Sequence, residues 1–189
     1  MKTKLKNITA IRSGIFAKPR PDANIYYLQV KDFDEYMNLY EGRIPELIID
    51  GQTENHLLKP DDVLFAAKGS KNFAVAYTPK FGQCVASSSF NIISLLDEYK
   101  ENILPDYLAW YLNRPDVAGK LKNKAKGTSI PSISKADMEE VEIYLPTIKK
   151  QQTILKINEL QQKERNIRKR IMELREVVLQ QQLIKALKK

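Results

Sequence analysis

One thiol and one imidazole occur in the 189 residues, Cys84 and His56. Brought together they would make a thiolate nucleophile and its general base. Kept apart they read as a buried cysteine and a histidine on an exposed loop, and two lone residues favour that plainer reading. One of each also leaves no intrachain disulfide and no Cys/His zinc set to assemble. A second constellation, Pro60-Asp61 with Glu98-Tyr99-Lys100, follows the Pro-Asp…(Asp/Glu)-x-Lys pattern of metal-dependent nucleases. Two carboxylates there hold Mg²⁺ and the lysine helps activate water. Pro-Asp recurs at 21, 60, 105 and 115, so a chance match is easy, and Asp61, just ahead of a strand, reads as turn chemistry. The glycines are scattered, with neither a dinucleotide fingerprint nor a phosphate loop, and no Gly-x-Ser-x-Gly elbow occurs.

Binding chemistry is better represented than catalytic chemistry. Lys18 and Arg20 lie in a Pro-bounded loop, Ala17-Lys-Pro-Arg-Pro21. Lys68, Ser70, Lys71 and Asn72 occupy a turn between two strand-like runs. Lys122, Lys124 and Lys126 form a basic run that leads into Thr128 and Ser129. Such groups position phosphates and read base edges in a major groove, although any one of them alone is ordinary solvated surface. The aromatics Tyr26, Tyr27, Phe65, Phe73, Tyr107, Trp110 and Tyr111 sit on apolar periodic faces and read as core, not as stacking platforms.

The elements that must carry these side chains fall on either side of Pro146. The chain has 31 Lys and Arg against 23 Asp and Glu, a net charge of +8. Residues 147–189 hold 12 of the cations and only 4 of the acids, so the whole surplus lies there and points to a polyanionic partner. That stretch has no Gly or Pro. Its positions Ile157, Leu160, Glu164, Ile167, Ile171, Leu174, Val178 and Gln181 alternate in steps of three and four, which predicts a coiled-coil helix. About 40 residues at 1.5 Å each make a rod of roughly 60 Å, too long to bury its seam on a small domain. Residues 1–146 read as an α+β domain with a mixed sheet and short helices. Strands are expected at Ile25–Val30, Asp62–Ala67, Phe73–Tyr77, Cys84–Ser87, Phe90–Leu95 and Val141–Leu145, and helices start at Pro105 and Pro115. Ser134 with Asp137 is expected to cap a short helix. No apolar run approaches the roughly 20 residues of a membrane span and no signal peptide is recognisable, so the expected location is cytoplasmic.

The order of several short motifs then resembles a known family, the specificity subunits of type I restriction–modification systems. They run from Leu5-x-x-Ile8-x-x-Ile11-x-x-Gly14 through Leu57-Leu-Lys-Pro-Asp-Asp-Val-Leu-Phe65 with the Lys68-Gly69 turn, and Leu104-Pro-Asp-Tyr-Leu-Ala-Trp-Tyr-Leu112. Gly127-Thr-Ser-Ile-Pro-Ser-Ile-Ser134 follows, then Val141-Glu-Ile-Tyr-Leu-Pro146, Gln151 and the long helix. The family often has a second Pro and a Glu where this chain has Thr147 and Lys150, a difference that bears on partner docking.

The resemblance implies a target-recognition domain (1–146) that reads DNA through loops at 16–20, 68–72 and 124–130. It implies a coiled-coil spacer helix (147–189) whose Ile157, Leu160, Ile167, Ile171, Leu174 and Val178 pair antiparallel with a second copy. It further implies a half-length subunit acting as a homodimer on a bipartite palindromic target, joined by an adenine-N6 methyltransferase and a restriction and translocation subunit. S-adenosylmethionine belongs to that methyltransferase, whose Asn-Pro-Pro-Tyr/Phe segment is missing here, so the chain itself is expected to be non-catalytic, with no cofactor or metal. A metal-dependent nuclease acting through Asp61, Glu98 and Lys100, and a protein-binding coiled-coil scaffold, remain as alternatives.

Overall fold

The computed structural model describes residues 2–51, 53–125 and 131–187. Three small sheets carry the first part of the chain. Strands β1 (Lys2–Lys4), β2 (Thr9–Ser13), β3 (Tyr26–Leu28), β4 (Asp62–Ala66), β5 (Ala74–Ala76), β6 (Cys84–Ala86) and β7 (Phe90–Leu95) come first. Helices α1 (Pro105–Leu112), α2 (Pro115–Lys124) and α3 (Lys135–Glu139), strand β8 (Glu142–Tyr144) and helix α4 (Ile148–Leu187) follow. The largest sheet is antiparallel in the order β2-β7-β4-β5, β3 pairs with β6 in parallel, and β1 pairs with β8 antiparallel. This is the α+β arrangement with mixed strands and a long C-terminal helix.

β4 and β7 sit inside the large sheet, with Ile93 facing Ile11 on one side and Val63 on the other. All of β4 and nearly all of β7 are buried, which is why both read as continuous apolar runs and not as alternating ones. The edge strand β5 is covered by the C-cap of α1, where Asn113 accepts from the Ala74 amide at 2.7 Å and donates to the Ala74 carbonyl at 2.7 Å. The amide and carbonyl of one edge residue are thereby satisfied. Pro105 and Pro115 occupy the first positions of α1 and α2, and Ser134 accepts from the Asp137 amide to start α3, as the sequence predicted.

The apolar run at 25–30 makes a strand only over Tyr26–Leu28. Gln29 opens a 3-10 turn in which the Asp32 carboxylate accepts from the Gln29 amide at 2.7 Å, and this local bond outcompetes a longer ladder. Leu28, Phe33, Leu64, Cys84, Phe90 and Ile92 form the main core, with Phe33 and Phe73 ring centroids 5.4 Å apart. Ile25, Tyr27, Leu47 and Val85 form a second cluster beneath the β3–β6 pair.

The chain divides into two units, residues 1–151 and 152–189. Gln151, in the first turn of α4, belongs with the first unit for a specific reason. Its buried amide accepts from Leu104 N at 2.9 Å and donates to the Asn102 and Pro146 carbonyls at 2.8 and 2.9 Å. Among the described residues no helix is long and apolar enough to cross a membrane.

Gly14 marks the closest backbone approach in the domain. A Cβ there would lie 2.2 Å from the Ser87 carbonyl oxygen and 2.4 Å from that of Ala86. Gly14→Ala is therefore expected to cost about 2–3 kcal/mol of stability. Gly119→Ala, on the open face of α2 with nothing near its Cβ position, should instead add up to about 1 kcal/mol. Urea unfolding of the two variants checks both signs.

Candidate nucleic-acid interface

The serine turn between β6 and β7, Ser87–Ser89, gathers loops distant in sequence. Ile15 N donates to the Ala86 carbonyl at 3.0 Å and Gly14 N to that of Phe90 at 2.9 Å, which anchors the 14–20 loop on one side. Ala67 N donates to the Ser89 carbonyl at 2.8 Å and anchors the 67–72 turn on the other. That turn is itself pinned further along: Gly69 N donates to Pro131 O and Ile133 N to Ala67 O, each at 2.9 Å, and Lys68 bridges Ser132. Loops 14–20, 67–72, 87–89 and 131–133 therefore share one edge of the domain.

A cleft of about 790 Å³ opens at this edge, lined among others by Phe16, Lys18, Tyr27, Lys31, Ile44, Glu46 and the three serines. Among the described residues, Lys18, Lys31, Lys68 and Lys71 form no ion pair with a carboxylate. Other cations of the domain are engaged, Lys2 with Glu142, Lys4 and Lys6 with Glu140, Lys100 with Asp97 and Arg114 with Asp116, while Lys59, Lys80, Lys122 and Lys124 share the unpaired state of the four at this edge. Unneutralised cations beside hydroxyls and backbone make a surface suited to phosphate oxygens.

The predicted contact residues fare differently. Lys18 lines the cleft, and Lys68, Ser70 and Lys71 lie exposed on the pinned turn. Arg20 is exposed beside Asp22 at 3.6 Å. Asn72 donates its amide to the Ala66 carbonyl at 2.9 Å and so helps to close the turn. Lys124 ends α2 and lines a different cleft with Lys2, Lys120 and Glu140. Lys126, Thr128 and Ser129 lie outside the described residues. Sequence reasoning included Phe16 in the 16–20 loop without singling it out and missed Lys31, Ile44, Glu46 and Ser87–Ser89. The run of three serines between two strands was the visible signal for one of these groups, whereas Lys31 and Ile44 reach the cleft only through folding.

The catalytic constellations of the sequence are only partly brought together. Cys84 is fully buried in the main core and burial pushes its thiol up to about 12, so it is no thiolate near neutral pH. His56 is half-buried on a short 3-10 turn, not on an open loop. Asp61 and Lys100 do line one cleft, but Glu98 is not part of its lining. Lys100 is held by Asp97 at 2.6 Å, an ion pair that lowers the Asp97 carboxyl below its usual range. The neighbouring Asp62 is a structural hub: buried, it takes hydrogen bonds from Arg12 at 3.2 Å, from Lys59 N at 3.0 Å and from the Ser94 hydroxyl.

On α4, the six apolar seam residues Ile157, Leu160, Ile167, Ile171, Leu174 and Val178 are each 44–60% exposed. A groove of about 330 Å³ runs along Ile171, Leu174, Arg175, Val178, Leu179 and Gln182. The polar break at Glu164 is occupied by an ion pair with Arg168 at 2.6 Å. Met172, Leu179, Leu183 and Leu187 are exposed off the seam, so apolar surface is spread wider around the helix than the heptad reading alone indicated.

The sequence profile described as Type I restriction modification DNA specificity domain matches residues 16–173. Similar solved structures include the S subunit of a type I restriction–modification system from M. genitalium, at 15% identity and a TM-score of 0.55, over 85% of this chain and 38% of that one. The HsdS subunit from Thermoanaerobacter tengcongensis aligns at 18% identity and 0.55, over 86% of this chain and 37% of that one. A chain from a structure titled for complex assembly and conformational transition of the type I R-M system aligns at 18% and 0.59, over 86% of this chain and 38% of that one. At these identities the structures show a shared fold, and this chain spans less than two-fifths of their length. No curated protein matches the sequence.

Burial of Cys84 has a measurable consequence. The thiol's ordinary value is 9.0, so its burial in neutral form contributes stability below about pH 9 that is lost as pH rises toward 12. The folded protein is expected to resist iodoacetamide at about pH 8 and to react with one equivalent only after denaturation. Prompt alkylation of the native protein would show an accessible thiolate instead.

Proposed function

We propose, from the premise that this chain belongs to the type I restriction–modification DNA specificity family, that it is the sequence-reading subunit of a modification and restriction complex. The observation that carries this reading is the convergence of loops 14–20, 67–72 and 87–89 on one edge with four unpaired lysines. In this reading the edge meets the major groove of double-stranded DNA. Lys18, Lys68 and Lys71 hold phosphates, while hydroxyls and other polar side chains near the turn read base edges. Arg20, on the same loop as Lys18, extends this contact, and Lys124, Lys126, Thr128 and Ser129 remain candidates for contacts to the same duplex.

The second half of the proposal concerns α4. Two copies pair antiparallel through Ile157, Leu160, Ile167, Ile171, Leu174 and Val178. The two domains then face two identical half-sites separated by a gap that the helices fix. Full burial of each half-exposed aliphatic side chain is worth about 1 kcal/mol, so the paired seams gain on the order of 10 kcal/mol. Association itself costs a similar amount. The seam alone thus supports a modest homodimer, and the adenine-N6 methyltransferase and the restriction and translocation subunit consolidate it by docking on the basic helix. The chain contributes specificity and the partners contribute catalysis.

Mapping methylated adenines across the source genome, with and without this gene, tests the function directly. Loss of a single gapped palindromic motif is the expected outcome. Loss of a gapped asymmetric motif would replace the homodimer with a mixed dimer, and an unchanged map in cells where the methyltransferase is active would refute the reading. For the helix, Ile171→Asp with Leu174→Asp places charge in the seam. The double variant should sediment as a monomer under conditions where the parent is a dimer, and persistence of the dimer would assign the seam elsewhere.

A further inference from the structure

The cleft at the serine turn holds two features that phosphate binding leaves unused. Phe16 and Ile44 are 71% and 74% exposed, and both line this cleft together with Lys18, Lys31 and Glu46. Large apolar side chains so open to water are a standing cost unless something covers them.

Neither is on a loose segment. The Tyr27 hydroxyl donates to the Ile15 carbonyl at 2.8 Å and accepts from the Ala17 amide at 3.3 Å, so one phenol clamps the backbone on both sides of Phe16 and holds its ring outward. Ile44 is steadied by the adjoining bridge of Ile25 with Leu47, where Glu46 N and Leu47 N donate to Ile25 O at 3.0 and 3.1 Å. Arg20 N donates to Glu46 O at 2.8 Å and ties the first loop to the second. Two fixed apolar side chains thus line one cleft together with Lys18, Lys31 and Glu46.

We infer that Phe16 and Ile44 form a pocket for the 5-methyl group of a thymine, read from the major groove. This rests on the DNA-recognition reading above. The lysines of the cleft match the phosphates that flank a base pair, so charge complementarity brings a duplex and not an apolar peptide to the cleft. Among groups on a major-groove edge the thymine methyl is the apolar one, and aromatic or aliphatic side chains are its natural contacts. Glu46, which lines the same cleft and accepts from Gln29 Nε2 at 3.5 Å, supplies an acceptor for a neighbouring cytosine or adenine amino group. Tyr27 acts as a positioning residue, through Phe16.

The test uses the assembled methyltransferase complex and its mapped target. Each thymine of a half-site is replaced in turn by deoxyuridine, which removes one methyl and nothing else, and binding is measured for the parent and for Phe16→Ala. At one thymine the parent should lose about fourfold, the worth of one buried methyl. Phe16→Ala should bind the thymine and deoxyuridine duplexes equally while keeping the parent's affinity for non-specific duplex of the same length. Tyr27→Phe should lessen the methyl effect without abolishing binding. A half-site in which no thymine methyl matters, a target without thymine, or a methyl effect that persists in Phe16→Ala overturns the pocket while leaving DNA recognition intact. A uniform loss of affinity in Phe16→Ala, insensitive to the methyl, overturns it in favour of a wedge between base steps. A parent complex with no preference for its target over non-specific duplex removes the DNA reading and the pocket together.

Discussion

Three stretches of backbone meet at the turn from Ser87 to Ser89, and most of what distinguishes this domain depends on that meeting. Strand β3 reaches it through Ser87 N and Leu28 O at 2.8 Å, the end of β2 through Gly14 and Ile15, and the end of β4 through Ala67. Backbone groups buried at such a junction must find partners, because an orphaned amide or carbonyl away from water costs about 1–3 kcal/mol. The junction therefore permits little adjustment. Gly14 is required because its neighbour's carbonyl occupies the space where a side chain would begin. The loops beyond the junction inherit their positions from it.

The same logic explains why motifs that look catalytic in sequence are structural in space. Of the paired aspartates that follow Pro60, Asp61 takes a left-handed backbone conformation (φ 76°) and makes the turn. Asp62 is buried with Arg12, Ser94 and the Lys59 amide around it. A buried carboxylate is tolerable only when paired and hydrogen-bonded, and this one joins β2, β4 and β7 through its partners. Cys84 illustrates the converse. In an apolar core the neutral thiol is favoured over the thiolate, so burial that helps packing removes nucleophilicity.

Helix α4 stands apart in its physics. Its exposed aliphatic residues have no packing partner within residues 152–187, although a helix in a protein draws most of its stability from packing an apolar face and not from propensity. Ion pairs along its surface, such as Lys156 and Lys163 with Glu159, draw that carboxyl down to about 2. Being exposed, such pairs add little stability each. What the helix has in surplus is apolar surface, not charge pairing.

The division between what was legible in the residue order and what was not follows from the range of the interactions. Local signals sufficed for the elements: prolines at the starts of α1 and α2, Ser134 capping α3, continuous apolar runs at β4 and β7, and a long helix after Pro146 free of Gly and Pro. Each depends on neighbours within a few residues, where chain chemistry dominates. The seam of α4 was legible as a periodicity, although apolar side chains off that periodicity, Met172, Leu179 and Leu183, are exposed as well. The register of β3 against β6, the pinning of Lys68 by Ser132, and the meeting of Phe16 with Ile44 and Ser88 were beyond reach. They join residues tens of positions apart, and no local preference encodes which distant backbone will satisfy a given amide. The sequence by itself determined the elements and the charge asymmetry. Only the tertiary structure decided which lysines stay unpaired and which loops share an edge, because pairing of buried backbone groups is settled across the whole domain at once.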